Sequence, residues 1–157
     1  MATKHSSGDL HSRIYKKLLT VLPDLPTIKE HGKSKVSGLM DLNLDVLLRT
    51  PSKIVIALSH YYKHLSGDMI ADPDMEIAVY PDREAAEALT YQDTFGYRVV
   101  YHDGNRVDVR AKKELNVFLQ QWLRNLILQG HKIGSTDLLA AQSSVSCDQA
   151  VGGQANE

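Results

Sequence analysis

The sequence predicts an α+β domain, an antiparallel β-sheet meander covered on one face by an N-terminal helix and a long C-terminal amphipathic helix. Three observations carry that prediction. Apolar residues recur at helical spacing near both ends of the chain, and between about residues 40 and 110 they alternate with a period of two. Clusters of Pro, Gly and Asp punctuate the alternating segments. At 157 residues, 43% hydrophobic and 24% charged, the chain has the size and composition of one soluble domain, and no internal repeat suggests a second.

Asp9 caps a first helix whose apolar positions Leu10, Ile14, Leu18, Leu19 and Leu22 share one face, until Pro23 stops it. Pro23, Pro26 and Gly32 mark a connecting loop that carries the mixed charges Lys29, Glu30, Lys33 and Lys35. From Met40 the period changes, because Leu42, Leu44, Val46 and Leu48 alternate with Asp41, Asn43, Asp45 and Leu47, the rhythm of a half-buried strand. Thr50-Pro51-Ser52 turns the chain into a second strand, Ile54 to His64, rich in β-branched and aromatic residues. In it Ile54, Ile56, Leu58, His60, Tyr62 and His64 share a face, and Ser66-Gly67-Asp68 closes it. Met75 to Tyr80 alternates again up to Pro81-Asp82, with Pro73 read as a residue that keeps an edge strand from pairing.

Residues 82 to 89 are strong helix formers. Strands are nevertheless predicted after about residue 85, because Leu89 to Gln92 and Phe95 to His102 look paired and Asp103-Gly104-Asn105 is a hairpin turn into Val107 and Val109. The last element is a helix with Leu115, Phe118, Leu119, Trp122, Leu123, Leu126 and Ile127 along one stripe. Asn116, Gln120, Gln121, Arg124 and Asn125 lie opposite, and Gly130 ends it. Residues 1–8 and 134–157 are polar and small and are expected to be disordered, which leaves a single domain at 9–133.

Lys and Arg number 18 against 19 Asp and Glu, so a net charge of −1 offers no bulk attraction to nucleic acid or to an anionic membrane. A nucleic-acid accessory role would need the local patch Arg106, Arg110, Lys112 and Lys113 at the start of the last helix, with Arg124 farther along. No window reaches the ~18 apolar residues of a membrane span, and the first residues lack an apolar signal core, so a cytoplasmic location is expected. The single Cys147 has no partner for an internal disulfide and reads as incidental. His31-Gly32-Lys33-Ser34 echoes the end of a phosphate-binding loop, but Thr27 stands where glycine is required.

The candidate functional region is the run from His60 to Asp82, with five carboxylates and two histidines around one Gly-Asp turn. Asp72, Asp74 and Glu76 stand two apart, so an extended chain projects them from one side. With Asp68 they offer oxygen ligands for Mg²⁺ or Ca²⁺, and such a cation would serve a divalent-metal-dependent phosphate-ester hydrolase. An EF-hand is excluded, because counting from Asp72 the sixth position is Ile77 and the twelfth Arg83. His60 and His64 have a spacing compatible with zinc, with His102, Asp68 or Asp72 as a third ligand, although Tyr61 stands where the zincin pattern needs glutamate. Tyr61, Tyr62, Tyr80, Tyr91, Tyr97 and Tyr101 supply aromatic area for recognition on the sheet face that the helices leave open. The main expectation is therefore a small non-enzymatic binding or accessory protein. Its surface would comprise Tyr61, Tyr62, Asp68, Asp72, Asp74 and Glu76, and would take a basic protein partner; no catalytic residue is assigned.

The strings His60-Tyr61-Tyr62, Gly67-Asp68-Met69, Asp72-Pro73-Asp74-Met75-Glu76 and Tyr91-Gln92, followed by Glu114-Leu115-Asn116, resemble a family of bacterial proteins often carried on plasmids and integrative elements. The last two thirds are distantly similar to the YqiB-like proteins, through Tyr80, Asp82, Ala86 and Glu87 and then Asn116, Phe118, Leu119, Trp122 and Leu123. Neither family has an assigned activity. The resemblance, over about residues 40 to 130, implies a fold and a mobile-element setting and carries over no catalytic residue.

Overall fold

The computed structural model describes residues 9–134; the expectations for residues 1–8, for 135–157 and for Cys147 fall outside them. Helix α1 (Leu10–Val21) begins where the Asp9 carboxylate accepts the Ser12 N–H at 2.9 Å, which satisfies one of the amides that a helix start leaves unpaired. At the other end of the chain, the Asp108 carboxylate caps α2 (Val109–Gln129) by accepting the Ala111 N–H at 2.8 Å. Gly130 stops that helix at φ 85°, a left-handed conformation that glycine adopts without a Cβ clash.

Between the helices run β1 (His31–Ser34), β2 (Leu42–Arg49), β3 (Ile54–Lys63), β4 (Met69–Tyr80), β5 (Ala85–Ala88), β6 (Thr90–Asp93) and β7 (Gly96–Val99). They form one antiparallel sheet in the order β1-β2-β3-β4-β6-β7, with β5 also paired to β4. A separate hairpin, β8 (Tyr101–His102) and β9 (Arg106–Val107), leads into α2. Its three-residue loop places Gly104 and Asn105 at φ 76° and 62°, which suits the Gly-Asn pair found there.

Both helices lie on the same face of the sheet, packed along each other and against β5. Ala86 and Ala88, fully buried, give the two helices close approach to that strand. Beneath the helices, Leu42, Leu44, Ile56, Leu58, Met75, Ile77 and Val79 form one core with Ile14, Leu18, Leu22, Leu119 and Leu123. The α+β arrangement predicted from the alternation is the one found. Among the described residues no helix is long and apolar enough to cross a membrane.

Four local readings are corrected. Residues 31–34, expected in a loop, form the edge strand β1 on β2, from His31 opposite Asp45 to Ser34 opposite Leu42. Only Ser34 of the four is buried, so this edge strand has no apolar rhythm to reveal it. Strand β4 begins at Met69 instead of Met75, and Pro73 lies inside a central strand. The proline is tolerated because the β3–β4 register shifts between Ser59/Asp74 and Tyr61/Ala71, where β4 carries one extra residue. Val109 opens α2 instead of continuing the hairpin. Finally, Asn116 is 1% exposed instead of facing solvent. It accepts the Ala88 N–H at 2.9 Å and donates to the Lys112 carbonyl at 2.7 Å, so the helix uses an amide to satisfy the backbone of the strand beneath it.

Candidate functional site

Strand alternation that buries one set of side chains under the helices sends the other set to the uncovered face. The register aligns them in rows. Asp45, Ala57 and Glu76 stand side by side on β2, β3 and β4, the next row holds Asn43, Ser59 and Asp74, and Ala78 lies beside Glu87. Neighbouring strands are ~4.8 Å apart, so two carboxylates flank the small Ala57 with about 10 Å between their α-carbons. Burial holds the Asp74 carboxyl above the usual carboxylate range, and the negative charge of Asp45 pushes the same way. The Tyr61 hydroxyl, donating to Asp74 at 3.4 Å, opposes both.

Toward β5 the same face carries a second polar group. Glu87 accepts the hydroxyl of Tyr80 at 3.0 Å and that of Tyr101 at 2.6 Å, and the Lys112 ammonium stands 3.7 Å from it. Lys112 also donates to the Tyr101 oxygen at 3.0 Å, so one carboxylate joins β4, β5, β8 and α2. Burial first, and then the neighbouring Glu87 carboxylate, push the Tyr80 hydroxyl up to about 12, and the same two causes raise Tyr101. Lys53 and Arg83 lie 5.9 and 5.6 Å from the centre of the Tyr80 ring, within range of cation–π attraction. A cleft of about 540 Å³ opens here, lined by Lys53, Glu76, Tyr80, Glu87, Thr90, Tyr101 and the apolar Leu89 and Val99.

Of the residues expected at the site, Tyr61, Asp74 and Glu76 share this face, and the first two touch. Tyr62 points to the other side of β3, with its hydroxyl 3.4 Å from that of Thr94. Asp68 sits in the exposed turn after β3, where Ser66 donates to it at 2.9 Å, and Asp72 is exposed beyond the register shift. Eight residues of strand separate Asp68 from Glu76, about 25 Å of chain. Among the described residues no three His, Cys, Asp or Glu side chains gather in a way that could hold a metal ion. His60 and His64 are about 13 Å apart along the strand, too far to share one ion. His64 is exposed and bonds Ser66, and His102 lies in the outlying hairpin. Within the basic patch, Arg110 pairs with Glu114 at 2.8 Å and Lys112 is engaged by Glu87. Arg98 reaches Glu114 too, at 2.9 Å, and the two guanidinium groups hold that carboxyl below its usual range.

Asp45 and Glu87 were not singled out as site residues from the sequence. Alternation marks Asp45 and Glu87 as polar positions of their strands, but only the register places the first two strands from Asp74 and the second beside Ala78.

An antiparallel sheet with two helices on one face, and carboxylates and tyrosines on the face left uncovered, defines a two-layer α+β protein. Over residues 13–132 the chain matches the family described as Domain of unknown function (DUF6908), and it belongs to that family. Neither a curated protein nor a solved structure matches it.

Proposed function

We propose that the protein is a non-enzymatic binding module that takes a cationic segment of a partner protein, bearing arginine or lysine, on the uncovered face of its sheet. The observation that carries this reading is the placement of Asp45, Asp74 and Glu76 around Ala57, next to a cleft with two tyrosine rings and an apolar floor. Carboxylates set among aromatic rings complement a guanidinium or ammonium group on an apolar stem. The charge of Asp45 also raises the cost of ionising Asp74, a cost that an incoming cation offsets. A hydrolase built on Asp68, Asp72, Asp74 and Glu76 would need these groups to converge, and their spread from the turn after β3 along β4 favours the binding reading. The setting proposed is the one that the sequence resemblance implies, an accessory protein of a mobile element in the cytoplasm.

The test uses hexa-arginine and hexa-glutamate peptides, followed by amide chemical shifts at low salt. Hexa-arginine is expected to move the amides of Ala57, Asp74, Glu76 and Ala78, and hexa-glutamate to move none of them. Changing Asp45→Asn, Asp74→Asn and Glu76→Gln together is expected to weaken the arginine peptide by about tenfold or more. Shifts scattered over the whole surface, or equal affinity in the triple variant, would overturn the proposal.

A further inference from the structure

A second cluster of titratable groups lies under the helices, away from the uncovered face. His60, on the core side of β3, is 6% exposed, and its Nδ1 stands 2.9 Å from the Asp41 carbonyl oxygen. A carbonyl only accepts, so Nδ1 carries the proton and Nε2 of a neutral ring does not. His131, the first residue after the Gly130 cap, is 3% exposed, with Nδ1 3.0 Å from the Ser34 hydroxyl and Nε2 buried without a partner. The two rings are 5.6 Å apart, and Trp122 stands edge-on to His60 at the same distance.

The segment that carries His131 is fastened by backbone hydrogen bonds and by Ile133, a core side chain 1% exposed. Lys132 N–H donates to the Ser34 hydroxyl at 3.1 Å, and Ile133 N–H donates to the Val21 carbonyl at 2.8 Å. The Ile133 side chain is seated over Gly32, where an added Cβ would come within 2.5 Å of its Cγ2. Residues 130–134 therefore cross from the end of α2 to β1 and to the end of α1, with the imidazole pair at the middle of the crossing.

We propose that residues 130–134 form an acid-released clasp, seated while the His131 imidazole is neutral and lifted when it takes up a proton beside His60. Two neutral rings can share this space, whereas an imidazolium there meets its neighbour's ring and has no acceptor for the His131 Nε2 proton. The charges around the pair do not compensate. The Asp41 carboxylate draws a proton toward His131, but Lys33 stands 3.7 Å from that carboxylate. Lys132 follows His131 in the chain, Asp24 lies beside Gly134, and α2 and α1 present the uncharged Trp122 and Val21. Burial, followed by the charge of His60, holds His131 below its ordinary value of 6.5. The closed clasp therefore keeps its full stability above about pH 6.5 and loses it as the pH falls from there toward the lowered value.

Amide spectra and Trp122 fluorescence of the full chain from pH 7.5 to 5 test this, Trp122 being its single tryptophan. The Lys132 and Ile133 amides are expected to move to random-coil positions with a midpoint below pH 6.5, in step with the change in emission. The amides of β3 and of α2 as far as Leu126 are expected to stay in place. His131→Asn, which can still bond Ser34 but does not titrate, is expected to keep Lys132 and Ile133 seated at pH 5. His60→Gln, which removes the neighbouring imidazole, is expected to move the midpoint up toward 6.5. Lys132 and Ile133 amides that do not move while His131 titrates would overturn the proposal. So would release of the segment only as the whole domain unfolds, or release of the His131→Asn segment at the same pH as in the unchanged chain.

Discussion

On β3 the side chains of Ile54, Ile56 and Leu58 disappear beneath two helices, while Val55, Ala57 and Ser59, each one residue away, face the uncovered side of the sheet. The same contrast runs through β4, where Met75, Ile77 and Val79 are core and Asp74, Glu76 and Tyr80 are not. One face is a continuous apolar layer and the other a field of carboxylates and tyrosines around small residues. The difference separates two roles within one set of strands, because a substitution on the helix side tests the fold and one on the uncovered side tests recognition.

The largest effect is expected on the helix side. Leu58→Ala removes a fully buried side chain from the middle of the core and should cost about 2–5 kcal/mol in chemical unfolding. Asn116→Leu should cost about 1–3 kcal/mol, because it leaves the buried Ala88 N–H without an acceptor. Its amide exchange should rise accordingly. Gly32→Ala presses a methyl against Ile133 and should cost about 1–2 kcal/mol. Combined with Ile133→Ala, its additional cost should largely vanish, a coupling that a double-mutant cycle reads directly.

The uncovered face should respond in the opposite sense. Asp74→Asn removes a half-buried charge near Asp45 and keeps an oxygen for the Tyr61 hydroxyl, so stability at pH 7 should be unchanged or rise by up to about 1 kcal/mol. A carboxyl whose folded-state pKa is raised opposes folding when ionised, so this advantage should fade as the pH falls through that value and the unchanged protein becomes neutral at Asp74. Unfolding curves at pH 7 and pH 4 check the sign.

Elements with strong apolar rhythm were legible in the sequence. The stripe from Leu115 to Ile127 gave α2, and the alternation from Leu42 and from Ile54 gave β2 and β3, because burial on one side imposes a period that local reading detects. Strand β1 was hidden because its four residues bury only Ser34, and the first half of β4 because Pro73 read as a residue that keeps an edge strand from pairing. The polar partnerships were hidden for another reason. Asn116 bonds Ala88 across 28 residues, His131 bonds Ser34 across 97, and Asp45 nears Asp74 only through the register of three strands. Among the predicted surface residues, spacing alone kept Asp74 and Glu76 together with Tyr61. It could not show that the extra residue of β4 interrupts the row before Asp72.

The most direct test of the division between the two faces is to measure unfolding free energy and hexa-arginine affinity on the same sample of the variant Asp45→Asn, Asp74→Asn, Glu76→Gln at pH 7. The account predicts stability within about 1 kcal/mol of the unchanged protein together with an affinity lowered by about tenfold or more. A loss of several kcal/mol with affinity unchanged would contradict it, because the uncovered face would then serve the fold and not recognition.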